Sequence, residues 1–310
     1  MTSSHPSKPT GRKTVGLFAA SERRKLPSFY AQMFIEDIHN GILMRNLGIK
    51  GEKPKKIEFI GEDEEVNIAT GLCASIARGM GSSSRSIAQN AIESLALHLA
   101  WYGEVLFDAV EMKNRKWRLE MVPDRHLYRT PFGFLQFIPE AERHQSLGRR
   151  WIVLPRSHAW LIRMPAVLGG RRKYRKLLRQ LEEISPTAPE FWSQDLEAGR
   201  WNTEVALGEY KYWQHLAVAK LTCRWGWDGR GIARDFETEF FHFYRGLRFR
   251  SAQAVLRQHI VSEINRMLVR LNIGAEVSLE GYPTPQDIER LITLTASGEI
   301  SYAQAYRQSA

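Results

Sequence analysis

The most extended pattern of apolar and polar positions lies in residues 234–272, a stretch without proline. Apolar residues recur there every three or four positions, which is the spacing of one face of a helix. The phase of this apolar stripe slips by about one residue near Gly246, and glycine weakens a helix locally. The pattern therefore predicts one long helix with a kink, and not two independent helices. Such a helix spans about 60 Å, more than a compact domain of this length needs.

Arginines occupy many of the polar positions of this predicted helix. They stand at Arg245, Arg248, Arg250, Arg257, Arg266 and Arg270. Most of them lie off the apolar stripe, so we expect them to solvate the outer side of an amphipathic helix. Its length indicates a helix that spans a subunit in a larger assembly.

Shorter stretches with helical periodicity stand on both sides of the long helix. They comprise residues 27–46, 66–76, 85–100, 171–184, 205–223 and a final pair hinged at 297–298. The acidic run at 62–65 precedes the second stretch and is expected to complement a helix N-terminus. Gly103 follows the third stretch and is typical of a helix end.

Runs rich in β-branched and aromatic residues occupy the middle of the chain. They read EVLFDAVE, KWRLEMV, GFLQFI and RRWIVLP, and turn residues separate them. A further strand, AEVSLEG, is predicted after Gly274. These runs predict a small antiparallel sheet, so the expected fold class is α+β and mainly helical.

Composition narrows the class of partner. The chain has 310 residues, of which 43% are hydrophobic, enough for one large or two modest domains. The formal net charge is +10, which favours a polyanion, either nucleic acid or an anionic membrane surface. No run of about 18 apolar residues and no apolar leader occur, so we expect a cytosolic protein. With Cys73 and Cys223 as its two cysteines, the chain has neither a disulfide framework nor a cysteine-rich zinc site.

The usual motifs of catalysis are not found. GMGSSSRS lacks the lysine of a phosphate-binding P-loop, and no HExxH or GxSxG motif occurs. Asp124 and His126 stand in a predicted turn, and His144 and His158 are too far apart in sequence to indicate a local metal site. We therefore expect no catalytic residues, no metal and no cofactor, although catalytic groups scattered through the sequence leave no motif.

Several segments, taken in order, resemble the portal proteins of tailed bacteriophages, the rings through which DNA enters and leaves the capsid. SIAQNAIESLALHLAWYGEVLFDAVE is similar to the family's helix that ends in an aromatic–glycine pair and continues into a strand. RLEMVPDRHLYR, GRRWIVLPRSHAWLIRMP and EFFHFYRGLRFRSAQAVLRQHIVSEINRMLVRLN resemble its wing strands and long wing helix. IERLITLTASGEISYAQAYR resembles its closing helix–glycine–helix. The resemblance covers residues 28–308 and rests on order, since no single motif is diagnostic.

The resemblance implies a division of the chain into portal regions. These are a mobile basic arm at 1–27, the first part of the wing at 28–170, stem helices at 171–224 with a clip at 185–204, a tunnel loop at 225–234, the second part of the wing at 235–280 and crown helices at 281–310. The stem helices are brief and the crown is short for the family. The chain would therefore be a minimal member, with stem and clip boundaries that depend on these lengths.

The resemblance also implies roles for particular residues. The side chains expected to face DNA in the tunnel are Lys211, Lys220, Arg224, Arg230 and Arg234. Those expected in the clip, where the packaging motor and neck proteins dock, are Pro186, Pro189, Phe191 and Trp192. The alternative for Arg230 and Arg234 is an ion pair with an acidic neighbour in the loop: Asp228, Asp235 or Glu237.

The implied function is DNA packaging and ejection by a homo-oligomeric ring of about twelve subunits at one capsid vertex. Its partners would be double-stranded DNA without sequence preference, the terminase large subunit, the major capsid protein and neck or adaptor proteins, with no membrane. Its location would be the virion, and the host cytoplasm during assembly. The alternatives are a basic nucleic-acid-binding protein or nuclease-type enzyme, acting as a monomer or dimer, and a structural neck or adaptor protein.

Overall fold

The computed structural model describes residues 29–44, 54–77, 83–112, 116–122, 126–141, 143, 148–184, 203–231 and 238–309. In chain order, the helices and strands are α1 (Phe29–Asn40), β1 (Lys56–Gly61), α2 (Asp63–Ile76), α3 (Ser84–Tyr102), β2 (Glu104–Glu111), β3 (Trp117–Val122), β4 (Leu127–Thr130), β5 (Gly133–Phe137), β6 (Trp151–Pro155), β7 (Ala159–Arg163), α4 (Gly170–Ile184), α5 (Thr203–Leu221), α6 (Glu239–Arg270), β8 (Ala275–Glu280), α7 (Pro285–Ala296) and α8 (Tyr302–Gln308). The predicted α+β class is confirmed.

The described residues divide into two compact units. We call Val105–Leu161 the strand unit, and the described residues of Arg23–Glu104 and Ile162–Ala310 the helical unit. The chain crosses from one unit to the other within β2 and β7. The region predicted as the first part of the wing, 28–170, therefore contains the strand unit together with part of the helical unit.

The strand unit contains two three-stranded sheets, with strand orders β3-β2-β7 and β4-β5-β6. Both sheets contribute to one core, which comprises Leu106, Val122, Ile138, Ile152, Leu154 and Ala159. The prediction of a single sheet was wrong here. Alternation in a sequence shows which face of a strand is buried, but it does not show which strand lies beside it.

The helical unit is built around α3 and α6, which pack against each other. Helix α1 packs on α3 and α4, α4 packs on α5, and α7 and α8 pack on α6. Strand β8, predicted from its alternation, pairs antiparallel with β1, from Lys56 opposite Glu280 to Gly61 opposite Ala275. Since β1 and β8 lie near opposite ends of the unit's sequence, this ladder ties its two halves together.

The ends of α3 follow from local chemistry. Ser83 begins the helix with a capping box, in which its hydroxyl accepts a hydrogen bond from the Ser86 N–H. Gly103 ends it in the left-handed conformation at φ 71°, and its N–H donates to the Leu99 carbonyl at 2.8 Å. The predicted glycine stop is thereby confirmed, because this conformation suits glycine and few other residues.

Helix α6 is shorter than its pattern predicted. The Thr238 hydroxyl accepts a hydrogen bond from the Phe241 N–H and caps the helix, so α6 begins at Glu239 and not at Arg234. It has 32 residues, which corresponds to a length of about 48 Å. The helix passes through Gly246 without interruption, so the slip in the apolar stripe does not divide it.

The arginines of α6 do not all face solvent, which corrects the prediction. Arg245 is 5% exposed and Arg257 is 3% exposed. Arg257 donates to the carbonyl oxygens of Ile42 at 3.1 Å and of Pro283 at 2.5 Å. Burial lowers the pKa of Arg257 to about 10, which leaves it protonated at neutral pH. Its charge therefore acts inside the fold.

Arg245 and Arg250 bind other carbonyl oxygens in the same way. Arg245 donates to the Ala219 carbonyl at 3.1 Å, to the Thr222 hydroxyl at 2.9 Å and to the Trp227 carbonyl. Arg250 donates to the Tyr306 carbonyl at 2.5 Å and lies over the Tyr306 ring, 3.5 Å from its centroid. The last carbonyls of a helix have no partner within that helix, and a guanidinium satisfies several acceptors at once. Through these arginines α6 fastens the C-terminal ends of α5 and α8.

Candidate nucleic-acid interface

Helix α4 is strongly amphipathic, and its sequence, GRRKYRKLLRQLEEI, shows why. Its buried residues recur at helical spacing and comprise Tyr174, Leu177, Leu178 and Leu181. The Tyr174 hydroxyl donates to the Ala100 carbonyl at 2.6 Å, and its ring lies 5.6 Å from that of Trp225. Burial of this apolar stripe fixes which side of α4 is turned toward solvent.

Four cations occupy the solvent side of α4. They are Arg172, Lys173, Lys176 and Arg179, all exposed. No carboxylate forms an ion pair with any of them among the residues that the structure describes. Arg171 differs, because its Nη2 lies 2.7 Å from Glu104 Oε1. Within the described part of the chain, these four cations are therefore exposed and not held in ion pairs.

The end of α5 extends this charge. Lys220 in the last turn of α5 and Arg224 just after it are both exposed. Gly169 lies between Lys173 and Arg224: a β-carbon on it would stand 3.1 Å from Lys173 Cβ and 3.4 Å from Arg224 Nη1. We call the four exposed cations of α4, together with Lys220 in α5 and Arg224 in the turn after it, the basic face: Arg172, Lys173, Lys176, Arg179, Lys220 and Arg224.

The basic face is suited to phosphates and not to base edges. Its cations are long, exposed side chains spread along a helix, and such residues attract a polyanion without fixing its register. Sequence readout needs side chains that enter a groove and make paired hydrogen bonds to a base. The arrangement therefore supports weak, salt-sensitive attraction for nucleic acid of any sequence.

Arg230, one of the predicted tunnel residues, is held by carboxylates of α1. Its Nη2 lies 2.8 Å from Asp37 Oδ1 and 2.9 Å from Glu36 Oε2. The hydrogen bond from Arg230 lowers the pKa of Glu36, and the hydrogen bond to Asp37 raises the pKa of Arg230. Of the two predictions for Arg230, a DNA contact or an ion pair, the structure shows an ion pair. Its partners, Glu36 and Asp37, belong to α1 and not to the loop.

The segment that contains Arg230 begins in the core of the helical unit. Trp225 and Trp227 are fully buried, and both pack against Phe34, with ring centroids 5.3 and 5.2 Å away. The Trp227 indole N–H also donates to Asp37 Oδ2 at 2.8 Å. The first part of the predicted tunnel loop is therefore an anchor for α1.

The remaining predicted residues have different outcomes. Lys211 lies in α5, but its side chain is outside the described residues, as is Arg234. The predicted clip residues Pro186, Pro189, Phe191 and Trp192 also lie outside them. The sequence pattern predicted a helix at 171–184, but its four exposed cations were not among the predicted site residues. The signal was present, since they stand opposite an apolar stripe at positions i, i+1, i+4 and i+7.

Among the described residues, no group of three or more His, Cys, Asp or Glu side chains is arranged to hold a metal ion. No helix in the described part of the chain is long and apolar enough to cross a membrane. Comparison with known families finds no family model that matches the chain, and comparison with curated proteins finds no match either.

Proposed function

We propose that this chain is the subunit of a portal-type ring through which double-stranded DNA is packaged into a capsid and later ejected. The proposal is supported by the order of elements on which the sequence resemblance rests. A helix with a glycine end leads into a strand, small sheets follow, then a helix pair, the long α6 and a final helix–glycine–helix. The terminase motor, the major capsid protein and neck proteins would be its partners.

The observation that carries the proposal is the basic face on the helix pair α4–α5. A passage for DNA has to attract phosphates without holding one sequence, since base readout would stall translocation. The pair occupies the position that the resemblance gives to the stem, which lines the tunnel. We therefore assign the tunnel wall to the basic face, and keep Lys220 and Arg224 of the original prediction within it.

The arginines of α6 support a different role for the long helix. Because Arg245 and Arg257 are buried and bind carbonyl oxygens, this part of its charge is not available to DNA. The helix instead organises the helical unit along about 48 Å. This fits a wing element better than a tunnel element.

Imaging of the purified protein by negative-stain electron microscopy, with mass from light scattering, tests the ring. The expected result is a ring of about twelve subunits with a central hole. A stable monomer or dimer at micromolar concentration, at several salt concentrations, would contradict the proposal. It would favour the alternative of a small nucleic-acid-binding protein.

A second candidate function, a nuclease-type enzyme, is favoured by one observation. A cleft of about 1020 Å³ in the helical unit contains Asp228 and His242, whose Oδ2 and Nδ1 atoms lie 3.3 Å apart. A carboxylate beside an imidazole is a common general-base arrangement. Incubation of parent and Asp228→Asn proteins with labelled DNA tests it, because hydrolysis by the parent alone would support the enzyme and hydrolysis by neither would exclude it under those conditions.

A further inference from the structure

The sheet β4-β5-β6 exposes an apolar face. Tyr128 is 53% exposed, Trp151 42% and Val153 58%. The register places Tyr128 and Val153 on either side of Leu135, and Trp151 opposite Phe137. The ring centroids of Trp151 lie 5.0 Å from Phe137 and 6.0 Å from Tyr128. We call these five residues the apolar sheet face.

This face does not serve the core of the strand unit. Along β6 the buried residues Ile152 and Leu154 alternate with the exposed Trp151 and Val153. The core is thus complete on one side of the sheet, and the other side presents aromatic and aliphatic surface to solvent. Continuous exposed apolar surface marks an interaction site in proteins that remain soluble.

Exposed arginines stand at the edges of this sheet. They are Arg149 and Arg150 before β6 and Arg156 after it. The Arg150 guanidinium lies over the Phe137 ring, 5.6 Å from its centroid. The described acidic residue nearest to β5 and β6 in sequence is the exposed Glu140. A partner for this face therefore needs both apolar and acidic groups.

The outer surface of the β1–β8 ladder in the helical unit combines acidic side chains with an exposed apolar one. The outer positions of the β1–β8 ladder are Lys56, Glu58, Ile60, Glu276, Ser278 and Glu280. The exposed carboxylates at the start of α2, Glu62, Asp63 and Glu64, continue it. Lys56 is paired with Glu58 at 2.6 Å, and Ile60 is 46% exposed. In a chain of net charge +10, this acidic concentration around an exposed isoleucine is the counterpart of the apolar sheet face.

We propose that the apolar sheet face of one copy docks on the acidic β1–β8 surface of a second copy. The two surfaces differ, so the contact is heterologous, and repetition of such a contact closes a ring when the rotation allows it. The inference rests on the proposed ring and specifies which surfaces join its subunits. Aromatic residues and arginine in the centre of the contact, with carboxylates opposite, are the composition of strong protein interfaces.

A second copy suits the face better than single-stranded nucleic acid. A stacking platform for bases depends on aromatic rings. Here the aliphatic Leu135 lies on the central strand β5, between Tyr128 on β4 and the aliphatic Val153 on β6. Their burial needs apolar groups, and Ile60 in its acidic surroundings supplies one.

Charge reversal on each surface tests the contact. Variant one carries Arg150→Glu and Arg156→Glu at the two ends of β6, and variant two carries Glu276→Lys and Glu280→Lys on β8. Because like charges would then face each other, each variant alone should self-associate at least about 100-fold more weakly than the parent. An equimolar mixture should regain assembly, since every contact in an alternating ring would again join opposite charges. The control is Arg290→Glu on α7 with Arg307→Glu on α8, both exposed and outside the two surfaces, which should assemble like the parent.

Sedimentation velocity and circular dichroism of the four proteins and the mixture distinguish the outcomes. If both variants assemble like a ring-forming parent, the contact is wrong while the ring stands. If both fail and the mixture also fails, the two surfaces do not meet each other. A parent that stays monomeric contradicts the ring itself. A single-stranded oligonucleotide could also quench the tryptophan fluorescence of the parent. If variant one loses this quenching but still assembles like the parent, the face binds nucleic acid and the proposal is overturned.

Discussion

Helices α4 and α6 are both rich in arginine, and the two use that charge in opposite ways. On α4 the cations stand opposite the buried stripe and meet water. On α6 Arg245 and Arg257 lie within the buried surface and donate to backbone carbonyls. The comparison teaches that net charge is not a measure of the charge available to a partner. The basic face on α4 and α5 is available, whereas part of the charge on α6 is structural.

Replacement of Arg257 should have the largest effect. Arg257→Met keeps the length of the side chain but leaves the Ile42 and Pro283 carbonyls without their donors, so we expect a loss of about 3 kcal/mol in the free energy of unfolding. Urea denaturation measures it. The control is Arg248→Met on the exposed side of α6, where the hydrogen bond to the Tyr244 hydroxyl at 3.0 Å should contribute about 1 kcal/mol or less. If both variants lost the same free energy of unfolding, the distinction between buried and exposed arginines of α6 would be wrong.

Exchange of arginine for lysine sharpens the comparison. Arg245 reaches Ala219, Thr222 and Trp227 with its planar fork, and a lysine ammonium cannot reach all three. Arg245→Lys should therefore destabilise the protein by about 2 kcal/mol. Arg179→Lys on α4 should change neither stability nor DNA binding, because only its charge is used there. Thermal denaturation of both variants checks the pair, and a stable Arg245→Lys protein would mean that charge alone is sufficient at that site.

Arg230 is intermediate between the buried arginines of α6 and the exposed cations of α4. Of the substitutions expected to destabilise the protein, its replacement should have the smallest effect. Its side chain is 42% exposed, so Arg230→Ala should lower the free energy of unfolding by less than about 1 kcal/mol at neutral pH. The pair lowers the pKa of Glu36 below its ordinary value of 4.5, so its contribution is present above that value and is lost as the pH falls through the lowered pKa. Denaturation of parent and variant at about pH 7 and about pH 3 measures this. A difference that grows in acid would be the wrong sign.

The periodic part of the fold was predictable from the sequence, and the long-range part was not. Spacing and caps gave α3, α4 and β8, because those signals lie within each segment. The pair between Arg230 and Asp37 joins residues 193 positions apart, and no local pattern carries that information. The prediction that Arg257 faces solvent was wrong for a related reason. Periodicity places a cation on the solvent side of a helix, but the carbonyl oxygens that Arg257 binds, those of Ile42 and Pro283, belong to distant parts of the chain. Part of the basic face was predictable, because the apolar stripe of α4 shows in its sequence which side meets solvent. The position of Arg224 beside α4 was not predictable, because it depends on packing at Gly169.

The salt dependence of DNA binding tests most directly whether DNA meets the cations of α4 and not those at the exposed end of α6. The two variants are Arg172→Gln with Arg179→Gln on α4, and Arg266→Gln with Arg270→Gln at the exposed end of α6. Fluorescence anisotropy with a labelled duplex at a series of salt concentrations gives the slope of log affinity against log salt. Each phosphate contact contributes about 0.9 to this slope, so the α4 variant should lower it by up to about 1.8 while the α6 variant leaves it unchanged. An unchanged slope for the α4 variant, or an equal loss for the α6 variant, would contradict the division of charge between the two helices.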